Sequence, residues 1–217
     1  MGWRRRRLIG HCSAWLAAAC LAPWAALAAE GARKTLLVVG DSLSAEYGLA
    51  RGTGWVALLE KRLATQKTGV EVVNASISGD TTSGGRSRLP ELLARHRPAL
   101  VIIELGGNDA LRGLPLSMTA DNLAAMTRAA KATGAKVLLV GMQVPPNYGR
   151  KYADDFAALF ASVARAEGAA LVPFLLKGVA DGPQAETLFQ ADRIHPNAQA
   201  QAQMLDNVWA VLQPILR

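Results

Sequence analysis

The chain has 217 residues, with 24 Lys and Arg against 17 Asp and Glu, a formal net charge of +7, and 51% hydrophobic side chains. That length gives one domain enough chain for a full core. The two cysteines, Cys12 and Cys20, both lie near the amino end, so the remainder has no disulfide, no thiolate nucleophile and no cysteine-based metal site.

The amino end itself reads as an export signal. In "MGWRRRRLIGHCSAWLAAACLAPWAALAAE" four arginines, Arg4 to Arg7, precede an apolar stretch that closes on small residues. Ala26-Leu27-Ala28 supplies an A-x-A cleavage site, so residues 1–28 are expected to be a signal peptide and residues 29–217 a single domain in the periplasm or outside the cell. A retained membrane anchor is the alternative, but the apolar stretch is short and broken by Pro23. A twin-arginine route and lipidation at Cys20 also stay open. The first 28 residues hold four basic side chains and no acidic one, which leaves an excess of only +3 on the remainder. Net charge is therefore weak support for a nucleic-acid partner, and none is expected.

Beyond the leader, apolar runs alternate with amphipathic stretches. "KTLLVV" (34–39), "VEVVNAS" (70–76), "ALVIIEL" (99–105), "AKVLLVGM" (135–142) and "ALVPF" (170–174) are nearly continuous in Val, Leu and Ile, as strands covered on both faces require. Between them, 54–64, 87–96, 117–134 and 152–168 carry helical spacing, for example at Met118, Asn122, Leu123, Met126 and Ala130. A last helix is expected from about Asn197 to Leu212, ending near Pro214. Right-handed crossovers then predict an α/β protein with a five-stranded parallel sheet, helices on both faces and flavodoxin-like strand order.

Ligands bind such sheets beyond the carboxyl ends of the strands. The polar clusters fall there: "GDSLS" after the first strand, "ISGDTTSGG" (77–85) after the second, "GGNDALRG" (106–113) after the third, and "ADRIHPNAQA" (191–200) beyond the fifth. Each is also what an ordinary turn would use, with Asp80 or Thr82 as a helix cap and Asn108-Asp109 as a turn pair. Acyl transfer needs a hydroxyl, a base held in one tautomer, and donors aimed at an oxyanion. Ser42 can supply the first. His195 can supply the second, with Asp192 three residues earlier to hold its other nitrogen. The N–H groups of Ser42 and Gly79 and the amide of Asn108 can supply the third. His96, at the end of a helix, reads as a solvated or capping residue.

These residues in this order resemble the GDSL or SGNH hydrolase family, named for its marker residues. Ser42 in "GDSLS", Gly79 in "ISGDT", Asn108 in "GGND" and His195 in "DRIHPN" match the four markers, and Asp192 matches the triad acid. "NASISGDTTSGG", "VIIELGGNDALRGL", "PPNYGRKY" and "HPNAQAQ" are similar to the thioesterase, lysophospholipase and arylesterase branch. The resemblance implies a three-layer α/β/α fold and hydrolysis of a small acyl ester or thioester on Ser42, without metal or cofactor. A cleft lined by Leu111, Leu114, Pro145, Pro146 and Phe189 would favour fatty acyl groups. Carbohydrate O-deacetylation and non-catalytic lipid or glycan binding are the alternatives. No G-x-S-x-G elbow occurs, which argues against an ordinary α/β-hydrolase.

Overall fold

The structure, a computed structural model, describes residues 1–3, 34–144 and 146–216. The expected signal peptide therefore lies, apart from its first three residues, outside the described residues. From Lys34 onward the described chain forms one compact unit. Five strands, β1 (Lys34–Gly40), β2 (Val70–Asn74), β3 (Leu100–Glu104), β4 (Lys136–Val140) and β5 (Ala170–Val172), pair in parallel in the order β2-β1-β3-β4-β5. This is the flavodoxin-like order that alternating apolar and amphipathic stretches predict.

Successive side chains of a strand point to opposite faces, so each central strand serves two cores. Leu36 and Val38 of β1, with Leu100 and Ile102 of β3, pack beneath α1 (Trp55–Thr65) and α6 (Gln201–Ile215). Leu37, Val39, Val101 and Ile103 pack beneath α2 (Thr82–His96), α4 (Leu116–Ala132) and α5 (Arg150–Glu167). The result is three layers, helices over both faces of one sheet.

Three boundaries differ from the sequence reading, each for a local reason. Helix α2 starts at Thr82, about one turn and a half before the periodic stretch. Thr81 caps it by accepting the Gly84 N–H, a role expected of Asp80 or Thr82, while a Gly85 Cβ would lie 2.3 Å from Leu105. Glycines that periodicity reads as loop are thus where α2 passes closest to the chain after β3. A short helix, α3 (Gly107–Leu111), forms inside the "GGNDALRG" cluster. Helix α6 follows a 3₁₀ turn at Ala198–Ala200 and runs through Pro214 to Ile215, because a proline so near the end costs the helix only one terminal hydrogen bond. His96 ends α2 half-buried, among its last-turn basic residues.

The core also supports the rim. Phe156 and Phe160 on α5 meet edge to face with centroids 5.3 Å apart, and the Phe160 ring lies over Gly106, where a Cβ would approach it to 3.2 Å. Gly106 holds φ at +123°, a conformation L side chains rarely adopt. Phe160→Ala should therefore lower unfolding free energy by about 3 to 5 kcal/mol, through lost burial and a residual cavity. Urea titration of the two proteins measures that difference directly, and a loss below about 1 kcal/mol would mean that the site collapses around the deletion.

Candidate active site

Strand β1 ends on Gly40, and the chain turns sharply at Asp41. The Asp41 carbonyl accepts the N–H groups of Ser44 and Ala45, and its carboxylate Oδ1 accepts the Leu43 N–H at 3.0 Å. The turn leaves Ser42 partly exposed at the edge of the sheet. Far along the chain, residues 188–197 fold back on themselves. The Gln190 N–H donates to the His195 carbonyl, the Asn197 N–H donates to the Leu188 carbonyl, and Phe189 bridges Pro196.

That loop brings its imidazole to the serine. His195 Nε2 lies 2.9 Å from Ser42 Oγ, and His195 Nδ1 lies 2.7 Å from Asp192 Oδ2. Asp192 Oδ1 accepts the N–H groups of His195 (3.0 Å) and Ile194 (2.9 Å). These two backbone donors, and then the imidazole, pull the Asp192 carboxyl down to about 2. An ionised carboxylate only accepts, so Nδ1 carries the imidazole proton and Nε2 is left to accept from the serine hydroxyl. The Tyr47 ring rests on the imidazole, centroids 4.4 Å apart, and Gln190 Nε2 donates to the Tyr47 carbonyl at 2.9 Å.

The expected oxyanion donors come from three loops. Among the described residues neither the Ser42 nor the Gly79 N–H donates a hydrogen bond within the protein. Asn108, in α3, gives one amide proton to Asp41 Oδ2 at 3.0 Å and keeps the other. Its neighbour Asp109 is fully buried and anchors α3 by accepting from Thr82 N–H, Thr82 Oγ1 and Thr119 Oγ1. Arg112 Nη2 donates to the Gly79 carbonyl at 2.8 Å, bracing the second loop against the third.

A cavity of about 680 Å³ opens beside Ser42 and His195, with Asn108 in its wall. Of the five side chains expected to line a cleft, Leu111 and Phe189 do so. Leu114 does not: its N–H bonds the Asp109 carbonyl, which turns the chain away toward α4. Pro145 lies outside the described residues, and no side-chain placement is described for Pro146. Gly79 sits on the neighbouring loop rather than in the wall. Met142, Val144, Phe174 and Leu176 add to the apolar lining. They were missed because they continue the apolar runs of β4 and β5, and nothing in composition marks where a strand stops and a cavity wall begins.

Comparison with known proteins places this geometry. A profile of the GDSL-like lipase/acylhydrolase family matches residues 38–203. Esterase TesA of Pseudomonas aeruginosa is 53% identical over 203 residues, covering 94% of this chain and 99% of that one. Thioesterase 1/protease 1/lysophospholipase L1 of Escherichia coli is 42% identical over 185 residues, covering 85% and 86%. The crystal structure of the psychrotrophic esterase EstA from Pseudoalteromonas sp. superposes with a TM-score of 0.79 at 37% identity, over 84% of this chain and 98% of that one. The family match spans the serine turn, the α3 asparagine and the imidazole loop together, and on that ground the chain belongs to the GDSL-like lipase/acylhydrolase family.

Proposed function

We propose that this ester-bond hydrolase cleaves acyl esters and thioesters through an acyl-enzyme on Ser42. The observation that carries the reading is the hydrogen-bonded line from Ser42 Oγ through His195 to Asp192, at 2.9 and 2.7 Å, opening on a cavity with apolar walls. Ser42 Oγ attacks the acyl carbon while its proton passes to His195 Nε2. Asp192 stabilises the imidazolium that forms. The oxyanion is received by the N–H groups of Ser42 and Gly79 and the free amide proton of Asn108. His195 then gives its proton to the leaving alcohol or thiol, and water repeats the sequence to release the acid.

Leu111, Met142, Phe174, Leu176 and Phe189 around the cavity favour an acyl chain over a sugar, so O-deacetylation of carbohydrate is the weaker reading. Export to the periplasm, by removal of residues 1–28, is proposed with it. No helix among the described residues is long and apolar enough to cross a membrane.

Hydrolysis of p-nitrophenyl esters by the purified protein, lost in Ser42→Ala, tests the reading. Asn108→Ala tests the oxyanion assignment. Removing one such donor costs about 10²- to 10³-fold in kcat, or about 3 to 4 kcal/mol. Retention of more than about a tenth of kcat by a folded Asn108→Ala protein would refute the role. Asn108→Asp is the poorer test, because it would set a second carboxylate against Asp41 Oδ2, 3.0 Å from the present amide nitrogen. Acid should also silence the enzyme. Asp41, raised to about 6 mainly by its burial, takes up a proton as pH falls and weakens its hold on Asn108. We expect kcat/KM to fall as pH drops through about 6, whereas a profile flat from about pH 5 to 8 would contradict that role of Asp41.

A further inference from the structure

The hydrolytic scheme leaves unused a buried carboxyl group directly behind it. Glu104, the last residue of β3, is 3% exposed and lies opposite Gly40 in the ladder with β1. Its Oε2 accepts from Ser44 Oγ at 2.7 Å and from the Asp41 N–H at 3.4 Å, which sets its carboxyl beside the equally buried Asp41. Two buried carboxyl groups side by side avoid facing each other as anions when one of them keeps its proton. The Asp41 oxygens are committed as acceptors, Oδ1 to the Leu43 N–H and Oδ2 to Asn108, so the proton belongs to Glu104.

The surroundings agree. Burial, and then the charge of Asp41, hold the Glu104 carboxyl well above its ordinary range. The positive charge His195 carries when protonated favours the ionised form of Asp41 through space. Arg88, the cation behind this strand end, is committed elsewhere: it pairs with Asp80 at 2.8 Å and donates to the carbonyls of Ala75 and Gly40. Among the described residues no cation pairs with Glu104, which leaves its proton as the means of keeping the pair at a single negative charge.

We propose that Glu104 is a positioning residue for the oxyanion site: as a neutral acid it donates to Asp41, and Asp41 in turn holds the Asn108 amide with one N–H turned to the cavity. This rests on Asn108 as an oxyanion donor. Ionising Glu104 would set two anions in contact and loosen the Asp41 to Asn108 bond. The acyl group binds as before, but the transition state loses an aligned donor, so kcat falls and KM does not.

Glu104→Gln separates this device from a merely structural role, because the amide keeps a donor for Asp41 and an acceptor for Ser44 and cannot ionise. Measured with a p-nitrophenyl ester while the ¹³C carboxyl shift of Glu104 follows its ionisation on raising the pH, the ratio of variant to wild-type kcat should rise at least about fivefold as Glu104 ionises, with the KM ratio flat. A ratio that stays constant through that ionisation, or a Glu104 already ionised at pH 7, overturns the proposal. Stability supplies a second readout. A folded-state value raised above the unfolded one contributes stability that is present at low pH and lost as pH rises through the folded value. The thermal midpoint of wild type should therefore fall more than that of Glu104→Gln as rising pH ionises Glu104, and equal slopes through that ionisation count against the retained proton. If the variant does not fold, the ¹³C carboxyl shift of Glu104 in the wild-type protein decides the matter: neutral at pH 7 supports the proposal, ionised refutes it. Turnover surviving in Ser42→Ala would instead bring down the hydrolytic reading itself, which a pH-independent Glu104→Gln ratio would leave standing.

Discussion

One register organises the rim of this protein: Gly40 at the end of β1 lies opposite Glu104 at the end of β3. In a parallel pair the two chains leave the sheet at the same height, so the turn bearing Ser42 and the helix bearing Asn108 emerge side by side. A slip of one residue would send Glu104 to the opposite face and turn every core residue of β3 outward from its present layer. The fully buried runs at 36–39 and 100–103 resist that slip only weakly by pattern, since both faces are apolar. The polar ends resist it strongly. Ser44, Asp41 and Glu104 find hydrogen-bond partners in this register, and an unpartnered buried carboxyl costs more than a typical hydrogen bond contributes.

Gly40 is the other half of that constraint. A Cβ there would stand 2.8 Å from Ser44 and 2.9 Å from the Glu104 carboxyl. The glycine of "GDSLS" is thus required by what lies behind the strand end, not by backbone freedom. The serine turn, the carboxyl pair and the β3 terminus occupy one another's space, and this is why they form a unit.

The strands, and the meeting of Ser42, His195 and Asp192, were legible because each rests on short-range pattern: continuous apolar runs in the first case, and in the second a serine at a strand exit and a carboxylate three residues before a histidine. What was not legible depends on distant contacts. The start of α2 at Thr82 depends on Asp109, 27 residues away, gripping its first turn. The cavity wall at Met142 to Val144 and Phe174 to Leu176 looks like strand until the sheet shows where pairing stops. Glu104 was visible as the single acid in the run "ALVIIEL", yet only the structure gives it Ser44 and Asp41 as partners.

The loop at 188–197 has a mechanical consequence. Asp192 and His195 are joined within three residues by one ring-to-carboxylate and two backbone-to-carboxylate hydrogen bonds, and the loop closes on itself through Gln190 and Asn197. Asp192 and His195 are therefore held together as one piece. Where a triad draws each member from a separate element, thermal motion disturbs two distances independently; here it disturbs one, the gap from His195 to Ser42. A movement of the loop as a whole would change that single gap while the Asp192 bond still fixes the imidazole tautomer.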